Sequence, residues 1–182
     1  MAQKWRVARL TSNRNSPLAD KAALEQLALR YVERYATTRA RLAGYLRRKL
    51  FERGWGGTGD PPVEVIVARM AELRYIDDRQ FAEMRTASLI RRGYGARRID
   101  AALRAAGVAR DDVAPGDDDR AYEAALNFAR RKRIGPFAVA IPDLAASRRA
   151  FAAMLRAGHA PDLVRKVLDL RNSDDFQMGE EG

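Results

Sequence analysis

The sequence predicts an all-α fold, and three observations carry that prediction. Apolar residues return every three or four positions through most of the chain, the period of a helix with one buried face. No segment sustains two-residue alternation with β-branched enrichment, the pattern a half-buried strand requires. Residues that cap helices stand just ahead of the periodic runs: Asp20, Thr37 or Thr38, Asp77 or Asp78, and Asp117 to Asp119.

Residues 1–19 carry Lys4, Arg6, Arg9 and Arg14 among serine and asparagine, and are expected to form a flexible basic arm. A first helix then places Leu24, Leu27, Ala28, Tyr31 and Tyr35 on one period. A second places Leu42, Tyr45, Leu46 and Leu50 inward, with Arg47 and Arg48 towards the other side. Four glycines between Gly54 and Gly59 make a loop; the lysine and hydroxyl residue of a phosphate-binding loop are missing. Asp60-Pro61 restarts a helix, whose apolar row is Val63, Val67 and Met70 with Ile66 and Leu73 beside it.

The best-defined stretch runs from Tyr75 to Val108. Its first helix sets Phe81, Ala82, Met84 and Leu89 on a broad apolar side. Gly93-Tyr94-Gly95 makes a corner where a Cβ would clash. The second helix sets Ile99, Ala102, Leu103 and Ala106 inward and Arg97 and Arg104 outward, and Gly107 stops it. After a loop at 110–119, a helix with acids at its start and Arg130 to Arg133 at its end suits the helix dipole. Its inward residues are Ala121, Ala125, Phe128 and Ala129. Pro136 and Pro142 bracket a linker around Ile141. A last helical pair spans about 143–170, with Val164, Val167 and Leu168 on its apolar side. Residues 173–182 hold Asp174, Asp175, Glu180 and Glu181 without a base, and are expected to form a mobile acidic tail.

These elements repeat. With Gly95 aligned to Thr38 and Ala160, Ile99 falls on Leu42 and Val164, and Leu103 on Leu46 and Leu168. Upstream, Leu89 falls on Val32 and Met154, and Gly93 on Ala36 and Gly158. Each unit is a helix, a tight corner and a second helix, with room for a third before the next corner. The expected organisation is an elongated tandem array of three-helix, helix–turn–helix-like repeats. The basic arm (1–19) precedes a first repeat at 20–75, a second at 76–135, a shortened third at 136–172 and the acidic tail at 173–182.

Composition narrows the function. The chain has 34 Lys and Arg against 24 Asp and Glu, a formal net charge of +10, with 47% apolar residues. Such a balance points to a polyanionic partner, nucleic acid first, or to an acidic protein surface. The absence of cysteine removes thiolate chemistry, disulfides and cysteine zinc sites. A single histidine, His159, removes histidine triads and multi-histidine metal sites; it aligns with Tyr94 and reads as a surface or packing residue. Asp77-Asp78 reads as a helix cap rather than a metal site or acid pair. The expectation is a protein that is not an enzyme, with no catalytic residue, cofactor or metal, no membrane span, a cytoplasmic location and a monomeric state.

The basic residues recur through the repeats as Arg47, Arg48 and Lys49, then Arg91, Arg92, Arg97, Arg98 and Arg104, then Arg130 and Arg131 of the Arg130–Arg133 run, then Arg148, Arg149, Arg165 and Lys166. If the repeats stack regularly, many would form a stripe able to track a phosphate backbone with salt-dependent affinity. The helix after Gly95 offers Arg97, Arg98 and Asp100 near its start, a poor set for reading base edges.

At these residues the sequence resembles the RecX family, bacterial regulators of the RecA recombinase. The resemblance is carried by Ile76-Asp77-Asp78, Phe81-Ala82, Arg92-Gly93-Tyr94-Gly95, Arg98-Ile99, Leu103 and Gly107-Val108. The first module is similar too, at Ala28, Tyr31, Arg39, Leu42, Tyr45, Leu46, Lys49, Leu50 and Gly54. Coverage runs from about Asp20 to Leu170. The third module departs from the pattern at His159, where the family usually has an aromatic residue. The resemblance implies three tandem three-helix repeats without enzymatic activity. It also implies binding in the groove of the RecA–DNA filament, with inhibition of strand exchange and ATP hydrolysis and effects on recombination, DNA repair and SOS activity. The partners it implies are the RecA filament and DNA, single- or double-stranded, within the filament or weakly alone. The alternative is an autonomous helix–turn–helix DNA-binding regulator.

Overall fold

The structure, a computed structural model, describes residues 17–170. Among them the secondary structure is helical: eight α-helices, two short 3-10 turns and one isolated bridge in place of any sheet. The chain divides into two compact units after Ile76, described in turn.

The first unit holds α1 (Lys21–Arg34), α2 (Arg39–Arg53) and α3 (Val63–Glu72). The Asp20 carboxylate accepts from the Ala23 amide at 2.8 Å, and the Thr38 hydroxyl from the Arg41 amide at 3.2 Å. Thr38 rather than Thr37 is therefore the cap of α2. Leu24, Ala28, Leu42, Leu46 and Ile66 are fully buried in a core shared by all three helices. Each buried Leu or Ile contributes roughly 1.5–3 kcal/mol. Tyr31 stacks on Tyr45 with ring centroids 4.1 Å apart, which ties α1 to α2. Two expected apolar-face residues are exposed instead. Tyr35 (49%) and Leu73 (48%) occupy the C-cap positions of α1 and α3, where the helical phase ends. The end of the expected basic arm is held in place. Leu18 is buried, donates its amide to the Gly54 carbonyl at 3.1 Å and accepts from the Gly56 amide at 2.9 Å. Lys4, Arg6, Arg9 and Arg14 lie outside the described residues, as does the acidic tail.

The second unit holds α4 (Asp78–Arg91), α5 (Ala96–Ala105), α6 (Asp118–Lys132), α7 (Leu144–Arg156) and α8 (Pro161–Asp169). Asp77 is the cap of α4, accepting from the Gln80 amide at 2.8 Å, while Asp78 is buried as the first helical residue. Met84, expected on the apolar side of α4, is 53% exposed. It stands two positions beyond buried Ala82, a rotation of about 200° on a 3.6-residue helix.

Two cores fill this unit. Ala82, Leu89, Ile90, Ile99, Leu103 and Val108 form the one around α4 and α5, and Ala124 of α6 joins it. Met154, Val164 and Val167 form the one around α7 and α8, joined by Ala125 and Ala129 of α6. Neighbouring positions on a helix point about 100° apart, so α6 serves both cores at once. The sequence pattern had placed this helix with the second repeat alone.

Candidate partner interface

Three glycine-bearing chain reversals in the second unit share one geometry. After α4, the Tyr94 amide donates to the Leu89 carbonyl at 3.0 Å and the Gly93 amide to Ile90 at 2.7 Å, with Gly93 at φ +73°. After α5, Val108 donates to Leu103 at 3.1 Å and Gly107 to Arg104 at 2.9 Å. After α7, His159 donates to Met154 at 3.2 Å and Gly158 to Leu155 at 3.0 Å, with Gly158 at φ +96°. Each pair satisfies the last carbonyls of its helix and needs a left-handed residue that glycine supplies without strain.

The first and third of these corners pack directly on each other. Gly95 donates its amide to the Ala157 carbonyl at 3.0 Å, and Arg97 donates its amide to the Gly158 carbonyl at 3.2 Å. A Cβ on Gly95 would stand 2.4 Å from the Gly158 carbonyl carbon and oxygen and from the His159 nitrogen. Gly95 itself has an ordinary φ of −79°. Its lack of a side chain serves this close approach rather than the turn.

His159 is buried at this junction, 1% exposed. Its Nε2 lies 3.1 Å from the Gly93 carbonyl oxygen, and the ring meets Phe128 edge-on at 5.7 Å. A carbonyl only accepts, so Nε2 carries the proton and Nδ1 is bare, without a hydrogen-bond partner. Burial pushes the imidazole pKa down, outweighing the opposing effect of the Gly93 carbonyl. His159 is thus a neutral packing residue.

The outer side of the corner is basic. Tyr94 is half-buried, with the Arg98 guanidinium 4.7 Å and that of Arg92 5.5 Å from its ring centroid. Arg131, from the end of α6, donates to the Arg92 carbonyl. The fold therefore sets Arg92 and Arg98 against one aromatic ring, in exposed cation–π contacts worth about 0.5–1 kcal/mol each, and ties Arg131 to the backbone of Arg92. Arg91, Arg97 and Arg104 are exposed and have no ion pair among the described residues.

The remaining expected cations are seated individually. Arg130 lies 5.0 Å from the Phe137 ring centroid and Lys166 4.9 Å from that of Tyr122. Arg165 lies 5.8 Å from the Phe151 centroid and 3.6 Å from Asp162. In the first unit, Arg47 pairs with Glu64, while Arg48 and Lys49 reach Glu52 at 3.7 and 2.5 Å. The Glu52 carboxyl is held below its usual range, chiefly by the hydrogen bond from Lys49. These three cations already have acidic partners, so they offer less free charge than the sequence pattern implied.

The sequence reading missed the aromatic seats. Tyr94 and Arg98 stand four residues apart, a spacing that could have signalled the contact; Tyr122 under Lys166 has no local signal. Among the described residues, no group of three His, Cys, Asp or Glu side chains could hold a metal ion. No described helix is long and apolar enough to cross a membrane.

Comparison with known proteins gives a consistent result. Residues 77–114, which span α4, α5 and the 3-10 turn at Arg110–Asp112, match the family model described as RecX, second three-helix domain. A regulatory protein RecX of Myxococcus xanthus is 34% identical over 157 residues, covering 80% of this chain and 84% of the relative. The crystal structure of RecX from Lactobacillus salivarius superposes with a TM-score of 0.67 at 15% identity, over 84% of this chain and 96% of that one. At that identity the solved structure speaks for the fold alone.

Proposed function

Because the chain belongs to the RecX family of regulatory proteins, we propose that it regulates the RecA recombinase, mainly as an inhibitor, by binding in the groove of the RecA–DNA filament. The observation that carries this reading is the cation cluster of Arg92 and Arg98 on the Tyr94 ring, with Arg131 bound to the Arg92 carbonyl. Packing the corner of α4 and α5 on that of α7 and α8 holds these charges in one arrangement before any partner arrives. Pre-ordering of this kind lowers the entropic cost of binding. A polyanionic surface, such as phosphates or an acidic protein face, is the complementary partner, and weak contacts from several modules would add through effective concentration.

The proposed contacts are Arg91, Arg92, Arg97, Arg98, Arg104, Arg130, Arg131, Arg165 and Lys166, with Arg47, Arg48 and Lys49 contributing after release from Glu64 and Glu52. Recombination, DNA repair and SOS activity would be modulated accordingly. The autonomous helix–turn–helix reading is disfavoured by one feature. The start of α5, where such a protein reads base edges, gives its Gly95 and Arg97 amides to Ala157 and Gly158.

RecA filaments are formed on single-stranded DNA, and ATP hydrolysis and strand exchange are followed as the protein is added. Inhibition by the native chain, weakened at least about tenfold by Arg97→Glu with Arg98→Glu in a protein of unchanged helicity, supports the reading; removing charge-assisted contacts of roughly 1.5–3 kcal/mol produces that scale. Full inhibition by the folded double variant removes this face from the interface. No effect of the native chain at saturation sinks the proposal.

A further inference from the structure

In the second unit the loop before α7 exposes a run of apolar side chains. Val139 is 88% exposed, Ile141 87% and Leu144 69%, three large apolar side chains within six residues of the loop before α7. Beside them lies a groove of about 600 Å³ whose walls include Ile141, Arg148, Phe151, Arg165, Leu168 and Asp169. Its lining combines the apolar Ile141 and Leu168, the aromatic Phe151 and two guanidinium groups. Arg165 lies over the Phe151 ring and near Asp162; Arg148 has no ion pair among the described residues. Runs of exposed apolar side chains beside a groove mark a contact surface.

We infer that this groove is a docking surface for residues 171–182 of the same chain. Three observations select that occupant. The described chain stops at Leu170, next to the groove-wall residue Asp169. Twelve residues follow, and at about 3.3–3.6 Å each they span at most roughly 40 Å. Their charge is complementary: Asp174, Asp175, Glu180 and Glu181 against one base, Arg171. Their apolar pattern also fits. In the sequence Phe176 and Met178 stand between the acids Asp174, Asp175, Glu180 and Glu181, two apolar anchors flanked by negative charge. The proposed docking pairs Phe176 and Met178 with Phe151, Leu168 and Ile141, and the flanking acids with Arg148 and Arg165. Docking withholds these two arginines from other polyanions, so the segment and an external anion compete for them.

The chain has no cysteine, which makes the test direct. Ser147, on the groove wall, is changed to Cys together with Gln177→Cys in the full chain, and mild oxidation is followed on non-reducing gels. An intramolecular disulfide forming at least about tenfold faster than in an Ala101→Cys, Gln177→Cys control is expected, because docking raises the local concentration. Phe176→Ala with Met178→Ala, and separately Arg148→Glu, should return the rate to that of the control. Equal rates in the two pairs overturn the inference. Disulfides between chains assign the groove to a second copy and overturn it as well. If the cysteine pair disturbs folding, hydrogen exchange on the cysteine-free chain decides. Amides at 139–148 should lose protection on Phe176→Ala with Met178→Ala, and unchanged exchange refutes docking. Neither RecA nor DNA is present in these measurements, so they stand or fall apart from the filament reading.

Discussion

Gly95→Ala probes the contact on which the arrangement of the basic cluster rests. The added Cβ would stand 2.4 Å from three backbone atoms of Gly158 and His159, and backbone cannot rotate aside as a side-chain end can. The two corners must therefore separate. Overpacking of this kind costs about 1–3 kcal/mol. Separation also weakens the Gly95–Ala157 and Arg97–Gly158 hydrogen bonds, each worth roughly 0.5–1.5 kcal/mol. The expected destabilisation of the second unit is thus about 2–6 kcal/mol, combining the overpacking with both hydrogen bonds. Urea unfolding followed by circular dichroism measures it, and hydrogen exchange at residues 93–99 and 157–160 localises it. Gly44→Ala is the control: it lies within α2 with nothing within 4 Å of the new Cβ, and should stabilise by about 0.5–1 kcal/mol through helix propensity. A Gly95→Ala protein as stable as the native chain, with unchanged exchange at both corners, would refute the corner-on-corner packing.

Three other substitutions examine the same structure. Asp77→Ala removes the cap of α4 and should cost about 1 kcal/mol, seen as faster exchange at Gln80 and Phe81. Ile99→Asp places an unpaired charge in a site 8% exposed and should abolish cooperative unfolding of the second unit by calorimetry. His159 ties stability to pH. Its folded pKa is depressed by burial, whereas the unfolded chain titrates near about 6.5. Below that value the unfolded state binds more protons, so stability is full above it and falls as pH drops towards the folded pKa. The slope is at most about 1.36 kcal/mol per pH unit for one proton. Denaturation between pH 7.5 and 5.5, a window set about the unperturbed histidine value, should show this loss in the native chain and not in His159→Phe.

Local signals in the sequence carried the helices and their caps, because both depend on residues three or four apart. Asp20, Thr38, Asp77 and Asp117 each accept a backbone amide within the first turn. The apolar rows were also legible, except at Tyr35, Leu73 and Met84, which lie past helix ends or on the outer face. The contacts between repeats were not legible. Gly95 gives no hint that its partner is Gly158, and Ala124 and Ala125 look alike although they enter different cores. Arg47 and Glu64 are seventeen residues apart, so nothing local showed that this cation already had a partner. For the same reason, charge counting found the arginines while missing the aromatic rings on which several are seated.

Cosedimentation across a salt series tests the central claim most directly, with RecA–DNA filaments in one set of tubes and the same DNA bare in the other. Retention on filaments at salt concentrations that release the protein from bare DNA, weakened by Arg97→Glu with Arg98→Glu, is the predicted result. Equal retention on both at every salt concentration, or none on filaments at any, would contradict the claim that this chain acts on the RecA filament.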